Sequence, residues 1–380
     1  MTNYDDIRFY NDDEVQQALK DYVKHPMIKA LLQFTFPDIA FAEIEKKVLA
    51  CHSIRDFQTH VIYLTVQKVL EKSSEGLSYS GFDNLKKDEA YMYISNHRDI
   101  VLDTSLLNCV LYESDLKMTA SAIGDNLVQK PFLLALSRLN RNFLVKRGLG
   151  PREMLKSSQK LSEYIKMLLL KEKRSVWMAQ REGRTKDGND HTQQGVLKML
   201  GMAKNDKTVL QYLSNLKIVP VSISYEFDPT DVLKMPEVLA KRMETIYIKS
   251  ANEDFKSILK GALGNKGRIH ISAGKPISAD EMHKLEERSG SVNEQLQLLT
   301  SYIDTEIHRN YKLWPANYIA CDLLNGDNGY EQHYTIKEKR QFERRLSRRI
   351  DVKNALEVNS YLLMYANPVI NKKAINENQL

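Results

Sequence analysis

The stretch YMYISNHRDIVLD, residues 91–103, carries the strongest information about the fold. Its first part, YMYIS, is a short apolar run of the kind found in a buried strand. The polar residues NHRD follow, and VLDTSLLNCVLY (101–112) then repeats its apolar residues at helical spacing. The segment therefore predicts a strand that passes through a polar loop into a helix.

The same alternation continues along the middle of the chain. Three more segments resemble buried strands: SVWMA (175–179), KIVPVSISY (217–225) and GRIHISAGKPI (267–277). Helical patterns fall between them: KPFLLALSRLN (130–140), PREMLKSSQKLSEYIKMLLLKEK (151–173) and VLKMLGMAKN (196–205). Strands that alternate with helices predict an α/β fold with a mostly parallel, mixed sheet flanked by helices.

The two ends of the chain have helical patterns without strands. Residues 12–72 are helix-like, with a break at Pro37, and the pattern returns from about 284 to 366. We therefore predict three parts. They are an N-terminal helical section (1–75), an α/β domain (76–283) and a helical, basic C-terminal extension (284–380).

Composition excludes several classes of protein. The chain has 380 residues, of which 42% are hydrophobic and 27% charged, enough to bury a sizeable core. No stretch of about 18 apolar residues is free of charge, so we predict no membrane-spanning helix. The acidic N-terminus lacks the apolar core of a secretory signal. Cys51, Cys109 and Cys321 lie far apart without metal-ligand spacing, which predicts a reducing compartment and no metal site.

The formal net charge of +6 is concentrated near the C-terminus. Residues 337–353 hold eight Lys or Arg and three Asp or Glu, a net charge of +5. Such a segment indicates an anionic partner: a membrane surface, a nucleic acid or an acidic protein. Phe342 is its one aromatic residue and no nucleic-acid motif occurs, so we expect no nucleic-acid binding.

His97 is the first candidate for chemistry. It follows the predicted strand 91–95, and open α/β sheets place their sites at the carboxyl ends of strands. A histidine there can act as general base toward a substrate hydroxyl, with a carboxylate fixing its tautomer. The alternative is a histidine that only makes hydrogen bonds within a turn.

Two aspartates compete as the partner of His97. Asp99 precedes the helical pattern and is the natural N-cap. Asp103 lies six positions after His97, which is about 120° around a helix, so His97 must lie outside the helix if Asp103 is to reach it. We favour Asp103, and the choice remains open at this stage.

Cations follow two further apolar stretches. NRNFLVKRG (140–148) carries Lys146 and Arg147 into a glycine turn, where paired cations suit a phosphate. QREGRTKDG (180–188) follows the strand 175–179 and places four charged residues around Gly183: Arg181, Glu182, Arg184 and Lys186. Gly183 is expected to let the backbone approach a ligand, and Glu182 to orient the cations or hold a substrate hydroxyl. Solvated surface loops are the alternative for both segments.

Pro220 interrupts the strand-like run 217–225. Proline removes a backbone donor from a sheet, so it is unusual inside a strand. It marks either a bulge or sheet edge near a pocket, or simply an edge strand.

The order of these four blocks resembles the glycerolipid acyltransferase superfamily, which includes lysophosphatidic acid and glycerol-3-phosphate acyltransferases. The resemblance covers about residues 76–278. It implies that His97 is the catalytic base and Asp103 its partner. It also implies that Arg147, Glu182, Gly183 and Arg184 bind the substrate phosphate, and that Pro220 belongs to the fourth block, which supports the acyl donor or the pocket wall.

The sequence departs from the family pattern in two places. Five residues separate His97 from Asp103 where the family has four, and Arg184 follows Gly183 directly where the family has a residue between. Asp99 therefore remains an alternative partner. Lys146, Arg181 and Lys186 remain alternative phosphate ligands.

The resemblance also implies the reaction and its partners. A fatty acyl group would pass from a thioester, either acyl-coenzyme A or acyl carrier protein, to a hydroxyl of a glycerol-phosphate-type acceptor in phospholipid synthesis. No bound cofactor or metal is expected. An acylated amino acid is the alternative acceptor.

Because the acceptor is a lipid, we expect a cytoplasmic protein held peripherally on the inner face of the cell membrane. MIKALLQFTF (27–36) and FAEIEKKVLA (41–50) could lie in the interface, or instead form the core of a bundle. KEKRQFERRLSRRI (337–350) could bind anionic head groups, or be a solvated helix with internal Glu–Arg pairs.

Overall fold

A computed structural model describes residues 3–250 and 252–377. Within those residues, seven strands form one sheet. The strands are β1 (Leu77–Ser80), β2 (Met92–Ser95), β3 (Ala120–Gly124), β4 (Asn142–Val145), β5 (Val176–Ala179), β6 (Ile218–Tyr225) and β7 (Ile269–Ala273).

The α-helices are labelled in chain order. They are α1 (Asp12–Tyr22), α2 (Pro26–Thr35), α3 (Phe41–Leu49), α4 (Ile54–Phe57), α5 (Tyr63–Ser73), α6 (Leu102–Glu113), α7 (Pro131–Leu139), α8 (Pro151–Lys166), α9 (Gln194–Leu200), α10 (Val209–Asn215), α11 (Asp231–Arg242), α12 (Glu253–Leu263), α13 (Ala279–Glu287), α14 (Val292–Asn310), α15 (Pro315–Asn325), α16 (Ile336–Ser347) and α17 (Ala355–Glu377).

The strand order across the sheet is β1-β7-β6-β2-β5-β3-β4. Strands β2 to β6 run in one direction, and β7 pairs antiparallel with β6 while β1 pairs parallel with β7. The predicted mostly parallel, mixed sheet flanked by helices is therefore confirmed. Because β2 to β5 are parallel, the loops that follow them meet at one edge of the sheet, which is where ligands bind in open α/β folds.

The two faces of the sheet carry separate apolar cores. Met92 and Ile94 face one core, while Tyr91 and Tyr93 face the other, as the period of two along a strand requires. The first core also holds buried residues of the N-terminal helices: Ile28, Leu32, Ile44 and Val48. These buried residues of 27–36 and 41–50 are thus core positions, as the bundle-core alternative requires, and contact of the two segments with a membrane interface stays untested.

Local chemistry accounts for the ends of several helices. Helix α2 ends at Thr35, two residues before Pro37, which cannot continue a helix hydrogen-bond ladder. Prolines begin α7, α8 and α15 at the first turn, where their missing N–H costs nothing. The predicted interruption at Pro37 is therefore confirmed.

The C-terminal helices dock through a third apolar cluster and one buried carboxylate. Phe342 of α16 is buried against Tyr361 and Tyr365 of α17. Arg345 and Arg349 both form ion pairs with Asp231 of α11, at 2.9 and 2.5 Å. The expectation of Glu–Arg pairs inside the basic segment is therefore wrong for these two arginines, because their partner lies on another helix.

No helix within residues 3–250 and 252–377 is both long and apolar enough to cross a bilayer. The proposed boundaries at residues 75 and 283 stay predictions.

Candidate active site

The loop between β2 and α6 is held by hydrogen bonds to the neighbouring strands. The Asn96 amide donates to the Ile223 carbonyl at 3.0 Å and accepts from the Ile223 N–H at 2.8 Å. The Trp177 indole donates to the Ser95 hydroxyl at 2.9 Å, and the Thr185 N–H donates to the His97 carbonyl at 2.9 Å. The backbone around His97 is therefore fixed by β5, β6 and the loop after β5.

His97 contacts Asp103. The His97 Nδ1 lies 2.8 Å from the Asp103 Oδ2, and His97 lies outside α6, which begins at Leu102. Asp103 is completely buried and accepts three more hydrogen bonds: from the N–H groups of Arg98 (2.6 Å) and Asp99 (3.0 Å), and from the Tyr225 hydroxyl (2.8 Å). Of the two alternative partners, the structure brings Asp103 to the imidazole.

Asp99 has the role of a helix cap. Its Oδ1 accepts hydrogen bonds from the N–H groups of Val101 (3.0 Å) and Leu102 (2.9 Å) at the start of α6. Its Oδ2 has no hydrogen-bond partner among the described residues, and burial, followed by the Asp103 charge, raises the pKa of Asp99. The capping role predicted for Asp99 is confirmed.

The contact with Asp103 determines which nitrogen of His97 is available. An ionised carboxylate only accepts hydrogen bonds, so Nδ1 carries the proton and Nε2 of a neutral ring is left as an acceptor. The ring packs edge-on against Trp177, with centroids 5.5 Å apart, and His97 lines a cavity. Nε2 is thus the basic atom that a substrate hydroxyl in this cavity can meet.

That cavity has a volume of about 630 Å³ and two chemically different linings. One part is cationic: Lys146, Arg147, Arg181, Arg184, Lys186 and Lys249. Another part is apolar: Ile123, Leu127, Val145, Leu161, Trp177, Val196 and Met199. The second and third blocks therefore meet beside His97, together with an apolar wall.

Most of the cations have carboxylate partners. The Arg147 guanidinium pairs with Glu182 at 2.6 Å, which joins the second block to the third. Lys146 lies 3.8 Å from Asp125. Lys186 pairs with Glu237 at 2.7 Å, and burial lowers the pKa of Lys186 although Glu237 opposes that shift.

Arg184 differs from these three cations. Its side chain is buried, and its Nη1 has no hydrogen-bond partner among the described residues. The Nε of Arg181 is also buried and has no hydrogen-bond partner within residues 3–250 and 252–377. Buried donors without partners are costly, so these guanidinium groups are the strongest candidates to bind an anion in the cavity.

Gly183 adopts a left-handed conformation with φ of 69°. A Cβ atom at this position would meet no other atom within 4 Å. Glycine has a conformational advantage here, because residues with a Cβ disfavour this φ. The expectation that Gly183 lets the backbone approach a ligand stays a prediction.

Pro220 lies inside β6, between β2 and β7, and is opposite Ile94. Both edge alternatives are wrong, because β6 is an interior strand and all its residues are buried. Pro220 does not line the cavity, whereas residues of the other three blocks do. Its missing N–H is tolerated where pairing with β7 begins, at Val221.

Several residues that support the site were not predicted from sequence. Tyr225 closes the hydrogen-bond shell of Asp103 from the end of β6. Arg98 is buried and pairs with Asp190 at 2.5 Å, while the Lys234 ammonium donates to the Arg98 carbonyl at 3.0 Å. These partners lie about a hundred residues from the loop, and no short motif links them to it.

Residues 76–224 match the family model described as Acyltransferase. One similar solved structure is the 1-acyl-sn-glycerophosphate (LPA) acyltransferase PlsC from Thermotoga maritima. It is 13% identical, with a TM-score of 0.38, and the match covers 77% of this chain and 91% of that chain. No curated protein matched. The matched residues include all four blocks, from the strand before His97 to the strand that holds Pro220.

Proposed function

We propose that the protein transfers a fatty acyl group from a thioester to a hydroxyl of a glycerol-phosphate-type acceptor, as a step of phospholipid synthesis. The observation that carries the proposal is the His97–Asp103 pair, 2.8 Å apart, beside a cavity that also contains the unpartnered guanidinium of Arg184. A base and an anion-binding group thus face the same space, as a phosphorylated alcohol requires.

The proposed reaction is direct transfer without a covalent enzyme intermediate. The acceptor hydroxyl gives its proton to His97 Nε2 as its oxygen attacks the thioester carbonyl. The C–S bond then breaks, and the imidazolium returns the proton to the departing thiolate. Asp103 stays ionised and stabilises the imidazolium, which is supported by its four hydrogen bonds.

The cations of the cavity have different proposed roles. Arg184, with Arg181 three positions before it in the sequence, binds the acceptor phosphate, because a guanidinium can bind it through two parallel hydrogen bonds. Arg147 and Glu182 brace the second block against the third through their ion pair. Gly183 supplies the left-handed turn between these charged residues.

The donor and the membrane belong to the same proposal. The apolar wall of the cavity suits an acyl chain, and the thioester is acyl-coenzyme A or acyl carrier protein used as a substrate. The proposed location is the inner face of the cell membrane, with peripheral attachment, since the acceptor and product are lipid-like.

An acyl-transfer assay with a panel of substrates tests the proposal. Purified protein receives labelled acyl-coenzyme A or acyl carrier protein, with glycerol 3-phosphate, lysophosphatidate or an acylated amino acid as acceptor. We expect a lipid product with a phosphate-bearing acceptor. A product only with the acylated amino acid would assign Arg184 to a carboxylate instead, and no product with any pair would contradict the proposal.

A further inference from the structure

Residues 243–250 and 252–263 expose several aliphatic side chains. Ile246 is 90% exposed and Ile248 is 84% exposed, and Met243, Leu259 and Leu263 are also exposed. A soluble surface seldom presents such side chains together without a partner. We call these five residues the apolar patch.

The loop part of the apolar patch is held beside the cavity. The Tyr247 hydroxyl donates to Glu253 at 2.6 Å, and Lys249 pairs with Asp254 at 2.5 Å, so the loop is tied to the start of α12. Lys249 and Asp254 both line the cavity that contains His97. Ile246 and Ile248 therefore project from the rim of that cavity.

Helix α12 also exposes aliphatic side chains, next to cations. Lys256, Leu259, Lys260 and Leu263 are exposed at spacings of three and four, so they share one face of the helix. This face alternates cations with leucines. The opposite face packs inward, where Gly261 lies against Asp99 and a Cβ at this glycine would overlap the Asp99 carboxylate.

A basic groove adjoins the outer end of α12. The groove has a volume of about 1360 Å³ and is lined by Lys260 and by cations of α16 and the turn after it: Lys337, Arg340, Arg344, Arg345, Arg348 and Arg349. Arg345 and Arg349 are paired with Asp231, and the other five cations have no ion pair among the described residues. Val232 and Ile336 add exposed aliphatic groups at this groove.

We infer that the apolar patch and the basic groove together form a docking surface for an anionic lipid bilayer. The aliphatic side chains would enter the interface, and the five free cations would contact lipid phosphates. A bilayer fits better than an acidic protein because Ile246 and Ile248 project outward instead of lining a pocket. The surface adjoins the cavity rim, so docking would bring lipid acceptors to His97. Only that last step rests on the proposed function.

Vesicle co-sedimentation of the full chain tests the inference without any turnover. The wild-type protein should bind mixed phosphatidylcholine–phosphatidylglycerol vesicles at low salt and bind phosphatidylcholine alone much less. The double variant Ile246→Ser/Ile248→Ser should weaken binding about tenfold or more, since exposed aliphatic groups supply the apolar contribution. The variant Arg340→Gln/Arg344→Gln should also weaken it and reduce its dependence on salt.

Two controls separate docking from folding and from catalysis. Val292→Ser removes an exposed aliphatic group outside this surface and should leave vesicle binding unchanged. Ile246→Ser/Ile248→Ser should unfold at the wild-type temperature and keep wild-type turnover of a water-soluble acceptor in the absence of vesicles. A protein that binds vesicles but transfers no acyl group would contradict the proposed function and leave the docking surface standing.

Three results would overturn the inference. One is a wild-type protein that does not bind the anionic vesicles at low salt. Another is an Ile246→Ser/Ile248→Ser variant that binds them as well as the wild type. The third is binding to purified acyl carrier protein, lost in Arg340→Gln/Arg344→Gln, without vesicle binding, which would assign the surface to a protein partner.

Discussion

Asp103 is the residue on which the geometry of the site depends most. It is fully buried, and its two oxygens accept hydrogen bonds from His97, two backbone N–H groups and the Tyr225 hydroxyl. Burial, and then the Asp103 charge, raise the pKa of Tyr225 well above its ordinary value, so Tyr225 stays a donor at all physiological pH values. The two oxygens of the Asp103 carboxylate are thus satisfied by hydrogen bonds from the groups that surround it.

Replacing Tyr225 with Phe should destabilise the fold and slow the reaction. The Asp103 Oδ1 would lose the donor that satisfies it, which typically costs about 1–3 kcal/mol. Urea unfolding and kcat are the measurements. Tyr93→Phe is the matched control, because the Tyr93 hydroxyl is buried without a partner among the described residues. Equal stability of the two variants would contradict the role given to Tyr225.

Asp99 should make the stability of the protein depend on pH. Burial, and then Asp103, raise its pKa above the ordinary value of 3.8, so the folded state holds this proton more tightly than the unfolded chain. Its contribution to stability is therefore complete below the unfolded pKa and is lost as the pH rises through the folded pKa. Asp99→Asn keeps a capping oxygen but cannot ionise. As the pH rises through the folded pKa of Asp99, the variant should therefore lose less stability than the wild type, which urea unfolding at a series of pH values measures. A wild-type pH dependence in Asp99→Asn would contradict this.

At the scale of elements, the parallel strands explain why distant blocks form one site. The loops after β2, β4 and β5 meet at one edge of the sheet, so His97, Arg147 and Arg184 line one cavity. The strands that carry these blocks were predictable, because their apolar runs are short and end in polar loops. Strands β1 (LSYS) and β3 (ASAIG) were not predicted, since small and polar residues give them little apolar pattern.

Other features of the sheet depend on tertiary contacts that local sequence does not encode. Strand β7 lies between β1 and β6, parallel to β1 and antiparallel to β6, and no local motif of the sequence indicates that direction. The interior position of Pro220 contradicted the edge prediction, because the place of β6 in the sheet depends on its pairing with distant strands. Tyr225 was missed because it contacts Asp103 across 122 positions of sequence, although its place at the end of a buried strand was visible.

The loop after β5 gives a prediction about the acceptor. Arg184→Gln should raise the KM for a phosphate-bearing acceptor about 10- to 100-fold, as expected for the loss of a hydrogen bond from a charged donor. Lys186→Gln should have a smaller effect, because Glu237 already neutralises Lys186. Steady-state kinetics with varied acceptor measure both. A larger KM change in Lys186→Gln than in Arg184→Gln would move the phosphate to Lys186.

At the scale of the whole molecule, Asp231 connects the C-terminal helices to α11, the helix that follows β6. It is buried and accepts hydrogen bonds from Arg345, Arg349, Tyr361 and Tyr365. The basic character of residues 337–353 was evident from composition. The partial burial of two of its arginines was not evident, because their partner is a carboxylate more than a hundred positions away in the sequence.

Asp231→Asn should therefore destabilise the protein by about 3–5 kcal/mol, since it leaves two partly buried guanidinium groups without a counter-charge. Urea unfolding followed by circular dichroism measures the loss. Glu343→Gln, on the exposed side of α16, removes a carboxylate of the same charge and should change stability by less than about 0.5 kcal/mol. Similar losses in both variants would mean that Asp231 does not anchor these helices.

The most direct test of the central claim compares His97→Ala with the wild type in the acyl-transfer assay, using the best donor and acceptor. We predict that kcat falls about 10²- to 10⁴-fold, the usual contribution of a general base, while the urea unfolding midpoint stays close to that of the wild type. A folded His97→Ala protein that retains activity within about twofold of the wild type would contradict the assignment of His97 as the base.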